Sequence, residues 1–165
     1  MTQPLLAPLR SLSLLLLLAT LAACQSLPRP AGFTAEQMAV LKAEGFVEGD
    51  PDWSLTFHDR LLFPFDESKL PPEQEERIAA MARHLVAVGI DTARVEGHTD
   101  SVGTDTYNLA LSQERAETVA RPMRAGGMHF TSEQVVGRGE ALPVSDNATA
   151  EGRQDNRRVV IIVTP

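Results

Sequence analysis

Between Trp53 and Val163 the spacing of apolar residues switches repeatedly between a period of two and a period near 3.6, and this alternation restricts the chain to few folds. Trp53, Leu55 and Phe57 alternate with Ser54, Thr56 and His58, and Leu61-Leu62-Phe63 follows, so Trp53 to Phe65 reads as a strand. Ile78, Met81, Leu85 and Val86 then recur at helical spacing. That helix starts at Pro71-Pro72, where a missing N–H is tolerated. Glu73, Glu75 and Glu76 sit at the positive end of its dipole, and Gly89 ends it. Ala93 to Thr99 reads as a second strand. A second helix runs from Thr106 to about Arg124, capped by Thr104 or Asp105, with Leu109, Ala116, Val119, Ala120 and Met123 as its buried stripe. Pro122 removes a donor in its last turn and predicts a kink or early fraying there. Glu133 to Gly139 gives a third strand, and Glu140 to Arg153 a loop with a turn of helix near Ala148. Arg157 to Val163, apolar throughout after its arginines, fits a central strand covered on both faces. The order β-α-β-α-β-β with two amphipathic helices predicts an α/β (α+β) two-layer sandwich over residues 53–165.

The N-terminal segment has a different character. Arg10 precedes the apolar run Leu12 to Leu21, which is short for a transmembrane helix of ~20 residues but suits a secretory leader. The segment closes on Leu21-Ala22-Ala23-Cys24, and Cys24 is the only cysteine in the chain, so an exported product has no internal disulfide partner for it. The sequence Leu-Ala-Ala-Cys resembles a lipobox, the processing site of bacterial lipoproteins. That resemblance implies a signal peptide over residues 1–23, cleavage before Cys24 and acylation of Cys24. Gln25 after the cysteine, in place of Asp, implies sorting to the outer membrane, with the folded part in the periplasm.

Residues 24–52 then hold the lipidated cysteine, a tether and a short helix. Pro28 and Pro30 oppose regular structure from Gln25 to Gly32. Thr34 caps a helix from Ala35 to about Glu44, with Glu36 in its first turn and Gly45 past its end. Met38, Val40 and Leu41 are its apolar residues, and Gly49 to Asp52 reads as a turn.

Charge narrows the partners. The chain carries 15 basic and 22 acidic residues, and removal of residues 1–23 takes only Arg10, leaving 14 against 22, a formal −8. Such a surface disfavours nucleic acid, whose binding rests on neutralising phosphates. It equally disfavours adhesion to anionic lipid, so attachment to a membrane falls to the lipid anchor.

One helical face concentrates polar chemistry. Asn108, Ser112 and Arg115 fall at i, i+4 and i+7, beside the apolar stripe, and form one wall of a possible cleft. Asp100, where the second strand leaves the sheet, can approach the same wall. A carboxylate and a guanidinium in one cleft suit a ligand with both an ammonium and a carboxylate, since the planar arginine fork binds carboxylates in bidentate fashion. A simple surface ion pair is the plainer alternative and contributes only ~0–1 kcal/mol.

The ordered set Glu96-Gly97-His98-Thr99-Asp100-Ser101-Val102-Gly103, Tyr107-Asn108, Leu111-Ser112-Gln113-Glu114-Arg115-Ala116, Gly137-Arg138-Gly139-Glu140, Pro143 and Asn156-Arg157-Arg158-Val159 resembles the OmpA-like, Pal and MotB peptidoglycan-binding domain family. The resemblance covers about Trp53 to Val163. It implies an OmpA C-terminal-like fold with a mixed sheet, and non-covalent capture of the zwitterionic end of diaminopimelate in the peptidoglycan stem peptide. By position, Asp100 and Arg115 are the implied ligand contacts, with Thr99, Asn108 and Arg158 assisting. Gln113 stands where other residues are frequent in that family, and Pro122 is unusual in its second helix.

The stretch from Phe33 through the Ala35–Glu44 helix to Phe46, with Trp53 following, resembles the N-terminal part of YfiB-type OmpA-domain lipoproteins. This second resemblance implies a periplasmic protein partner, a small repressor whose sequestration frees an inner-membrane diguanylate cyclase. Other features carry no chemistry. His58, His84, His98 and His129 lack ligand-like spacing, so neither a metal nor another cofactor is expected. No nucleophile elbow is present and Ser112 has no identifiable base, so no catalytic residue and no enzymatic activity are expected. Trp53 reads as an anchor for the sheet edge.

Overall fold

A computed structural model describes residues 32–62 and 69–165. The leader over residues 1–23, Cys24, the tether from Gln25 to Ala31, and Phe63 and Phe65 of the expected first strand lie outside the described residues. Among the described residues, α1 spans Ala35–Ala43, β1 Val47–Glu48, β2 Trp53–His58, α2 Asp59–Leu62, α3 Pro72–Ala87, β3 Arg94–His98, α4 Asp105–Ala125, β4 Val135–Gly137, α5 Ala150–Asn156 and β5 Arg158–Val163.

The sheet order is β1-β2-β5-β3-β4. β5 is central and antiparallel to both β2 and β3, whereas β4 runs parallel to β3, so the sheet is mixed as expected. On one face Val95, Val135, Val159, Ile161 and Val163 pack with Ile78, Met81 and Leu85 of α3 and Ala116, Val119, Ala120 and Met123 of α4 to form the core. Among the described residues no helix layer of this size covers the opposite face. Val160 and Ile162 there are only half-buried, so the expectation of a strand covered on both faces is corrected. Their apolar character serves a central strand paired on both sides, where β-branched residues fit the pleat, rather than a second core.

Two close approaches define how α4 lies on the sheet. A Cβ on Gly97 would stand 2.0 Å from the carbonyl oxygen of Ser112, and one on Gly137 would stand 2.4 Å from the amide nitrogen of Gln113. Helix backbone therefore rests directly on strand backbone. Gln113 exploits this position. Its amide donates to Val135 O at 3.0 Å and accepts from Gly137 N at 2.7 Å. It satisfies the outward backbone groups of edge strand β4 as a neighbouring strand would.

Several boundaries differ from expectation. The first strand stops at His58; the Asp59 amide still donates to Arg157 O at 2.9 Å, one step further along the β2–β5 register, and the chain then enters α2 instead of continuing extended. Leu109 is 53% exposed and does not belong to the buried stripe of α4. The glycine contacts rotate Asn108 and Ser112 inward in its place. Pro122 does not fray α4, which continues to Ala125 although the proline supplies no N–H. The loop after Gly139 contains a full helix, α5, whose cap Thr149 accepts from Gly152 N at 2.9 Å.

The N-terminal helix forms as expected. Thr34 Oγ1 accepts from Gln37 N at 3.2 Å while Gln37 Oε1 accepts from Thr34 N at 2.9 Å, a reciprocal cap. Leu41 and Phe46 are buried, Gln37 donates to Val88 O at 3.1 Å, and Phe33 meets Trp53 edge-on at 6.4 Å. Trp53, 3% exposed, anchors this corner of the sheet.

Candidate functional site

β3 ends at His98, and the Thr99 amide donates to Gly139 O at 2.9 Å, which delivers Asp100 to the rim of the sheet. There Asp100 is buried. Its Oδ1 accepts from Val102 N at 3.0 Å and its Oδ2 from Arg157 Nη1 at 2.6 Å. Thr104 then caps α4 by accepting from Tyr107 N at 3.2 Å, resolving the choice between Thr104 and Asp105.

Down the inner face of α4, Asn108 is 1% exposed and donates to both Asp100 O at 3.3 Å and Glu140 Oε2 at 2.6 Å. Ser112 donates to Leu109 O at 2.9 Å and accepts from Gly139 N at 2.8 Å. These two residues hold the loops after β3 and β4 against the helix. One turn further, Arg115 Nη2 donates to Asp59 Oδ2 at 3.1 Å, and that oxygen lies 3.6 Å from Arg157 Nε.

Asp100 and Arg115 are thus joined through two residues that the sequence analysis did not single out, in the order Asp100, Arg157, Asp59, Arg115. The four side chains are 11%, 34%, 21% and 12% exposed, so this is a half-buried chain of alternating charge and not a loose surface pair. The arrangement places the Asp100 carboxylate and the Arg115 guanidinium at the two ends of one ion-pair chain. Thr99 Oγ1 and Asp59 Oδ1 are buried and have no hydrogen-bond partner among the described residues.

Arg158 is placed elsewhere. It is 7% exposed and donates to Asn156 O at 3.3 Å and Leu142 O at 3.1 Å. Strand alternation explains this, since adjacent residues point to opposite sides and only Arg157 faces Asp100. Arg158 belongs to a second cluster, around Glu96. Arg138 Nη2 reaches Glu96 at 2.6 Å, Arg94 Nε at 3.0 Å and His98 Nε2 at 3.8 Å. Burial, reinforced by the Arg158 charge, lowers the His98 pKa to about 4, so the ring is neutral near neutral pH. Burial also lowers the pKa of Arg158, against the opposing influence of Glu96. Among the described residues no group of three or more His, Cys, Asp or Glu is placed to hold a metal ion.

Residues 62–157 match the profile of the OmpA family. The chain is 43% identical over 155 residues to the outer-membrane lipoprotein YfiB of Pseudomonas aeruginosa, covering 94% of this chain and 92% of that protein. It is 42% identical over 166 residues to a lipoprotein likewise named YfiB from Escherichia coli, covering 99% of each. Among solved structures, the cell wall anchor of the T6SS from Pseudomonas aeruginosa superposes with a TM-score of 0.62 at 30% identity, over 81% of this chain and 98% of that one.

Proposed function

From its membership of the OmpA family, and of the branch that includes the YfiB lipoproteins, we propose that the chain is an outer-membrane lipoprotein whose domain holds the cell wall. Cys24 carries the lipid, the domain stands in the periplasm, and the cleft between Asp100 and Arg115 takes the free ammonium and carboxylate of diaminopimelate in the peptidoglycan stem. No bond is made or broken; the protein is an anchor and not an enzyme. The observation that supports this most is the half-buried charge chain itself. Two opposite charges held in one half-buried site match a zwitterion, whereas an isolated exposed pair contributes almost nothing.

Titration of the full chain in detergent with a diaminopimelate-containing muropeptide tests it. Saturable binding is expected, weakened on the order of 30-fold or more in both Asp100→Ala and Arg115→Ala, since losing one partner of a desolvated charge pair costs ~2–5 kcal/mol. Binding that survives both substitutions would refute the assignment.

A second reading rests on the part of the chain outside the OmpA profile. The two YfiB relatives align over nearly all of this chain, beyond residues 62–157, and α1 with β1 belongs to that extra part. On this reading, that corner also captures a periplasmic repressor of an inner-membrane diguanylate cyclase, with capture coupled to wall binding.

A further inference from the structure

We propose that Asp59 and Arg157 act as an internal substitute for the ligand's two charges and compete with it for Arg115 and Asp100. This rests on the reading of Asp100 and Arg115 as ligand contacts. The Asp59 carboxylate occupies the Arg115 guanidinium at 3.1 Å, as a ligand carboxylate would. The Arg157 guanidinium occupies Asp100 at 2.6 Å, as a ligand ammonium would.

The geometry makes the exchange reversible. Asp59 and Arg157 already approach each other at 3.6 Å, and the Asp59 amide is bonded to Arg157 O at 2.9 Å. When a zwitterion takes Arg115 and Asp100, the two displaced charges keep one another as partners and neither is stranded. That matters in a half-buried site, where an unpaired charge is costly. The unpartnered Oδ1 of Asp59 shows that its carboxylate is not fully satisfied beside Arg115. Asp59 also stands where β2 gives way to α2, so its release from Arg115 involves an element junction and not a rigid strand centre.

Asp59 therefore lowers the affinity of the site, and removing its charge raises it. Muropeptide titration of the full chain would compare the unmodified protein with Asp59→Asn and Asp59→Glu. Asp59→Asn is expected to bind about three- to tenfold tighter, the range of one ordinary hydrogen bond no longer competing. Asp59→Glu retains the competing charge and stays near the unmodified value. A gain in affinity is not something that mere loss of structure produces. Equal or weaker binding by Asp59→Asn, with the unmodified chain binding normally, would overturn this inference and leave the wall-anchor reading standing. Binding by Asp59→Asn alone would support the inference in its strongest form. Failure of all three chains to bind would remove the wall-anchor reading and this inference with it.

Discussion

Gly97 offers the sharpest test of how the site is built. A methyl group there would meet the Ser112 carbonyl oxygen at 2.0 Å, its carbon at 2.9 Å and the Ala116 nitrogen at 3.3 Å. All three atoms are helix backbone, so no rotamer change relieves the clash. Ordinary contact begins near 3.4 Å, so α4 must retreat by about 1.4 Å at its closest point. Overpacking of this kind costs ~1–3 kcal/mol. The retreat also stretches the Ser112–Gly139 bond and the two Gln113 bonds to β4, at ~1 kcal/mol each when weakened or lost. Gly97→Ala should therefore destabilise the domain by about 3–5 kcal/mol, a large part of an ordinary stability of ~5–15 kcal/mol.

In urea, with a slope of ~1–3 kcal/mol/M, the unfolding midpoint should fall by roughly 2 M. Gly89→Ala is the control. Gly89 has φ +80° but nothing within 4 Å of its Cβ position, so only backbone conformation is penalised, at ~1 kcal/mol. If Gly97→Ala proved no more destabilising than Gly89→Ala, direct support of α4 by strand backbone would be wrong.

Two further outcomes follow from the same contacts. Gln113→Leu removes both bonds to β4 and exposes its edge, so a loss of ~1–3 kcal/mol and a rise in self-association are expected, read by urea unfolding and sedimentation. His98, lowered from 6.5 to about 4, binds its proton more weakly folded than unfolded, so its contribution to stability is complete above pH 6.5 and is lost as pH falls towards 4. His98→Gln should remove about 3 kcal/mol of the acid-side slope between those limits, measured against the unmodified chain by unfolding at stepped pH; an unchanged slope would show that the ring is not held neutral.

What could be read from the sequence was whatever depends on local pattern. The caps at Thr34 and Thr104, the proline start of α3 and the apolar face of α3 are decided within a few residues, and they stand as expected. The misplacements share a tertiary cause. Leu109 matched the apolar period, yet Gly97 and Gly137 admit helix backbone so closely that the small polar Asn108 and Ser112 take the inward positions. Arg157 and Arg158 are adjacent in one motif, and choosing between them required the strand's parity relative to Asp100, which depends on where β5 begins. Asp59 lay hidden because apolar residues continue beyond His58 and disguise the end of β2. Its role depends on a contact 56 residues away in sequence, beyond the reach of any local pattern.

The position of Arg115 follows from a change in packing along one helix. Over its first half α4 meets the sheet through backbone and short polar groups, Asn108, Ser112 and Gln113, each hydrogen-bonded to a loop or strand. Over its second half it packs through Ala116, Val119, Ala120 and Met123, all at 0% exposure. Arg115 stands at the junction. The polar half fixes the loop that carries Asp100, and the apolar half supplies the rigid base from which the guanidinium projects. An arginine on a loop would lose orientation with every fluctuation of that loop, whereas Arg115 projects from a helix packed on the core. Precision at the cleft is thus inherited from the glycine contacts beneath it, and for that reason substitutions at Gly97 or Gly137, which touch no ligand, should weaken wall binding as well as the fold.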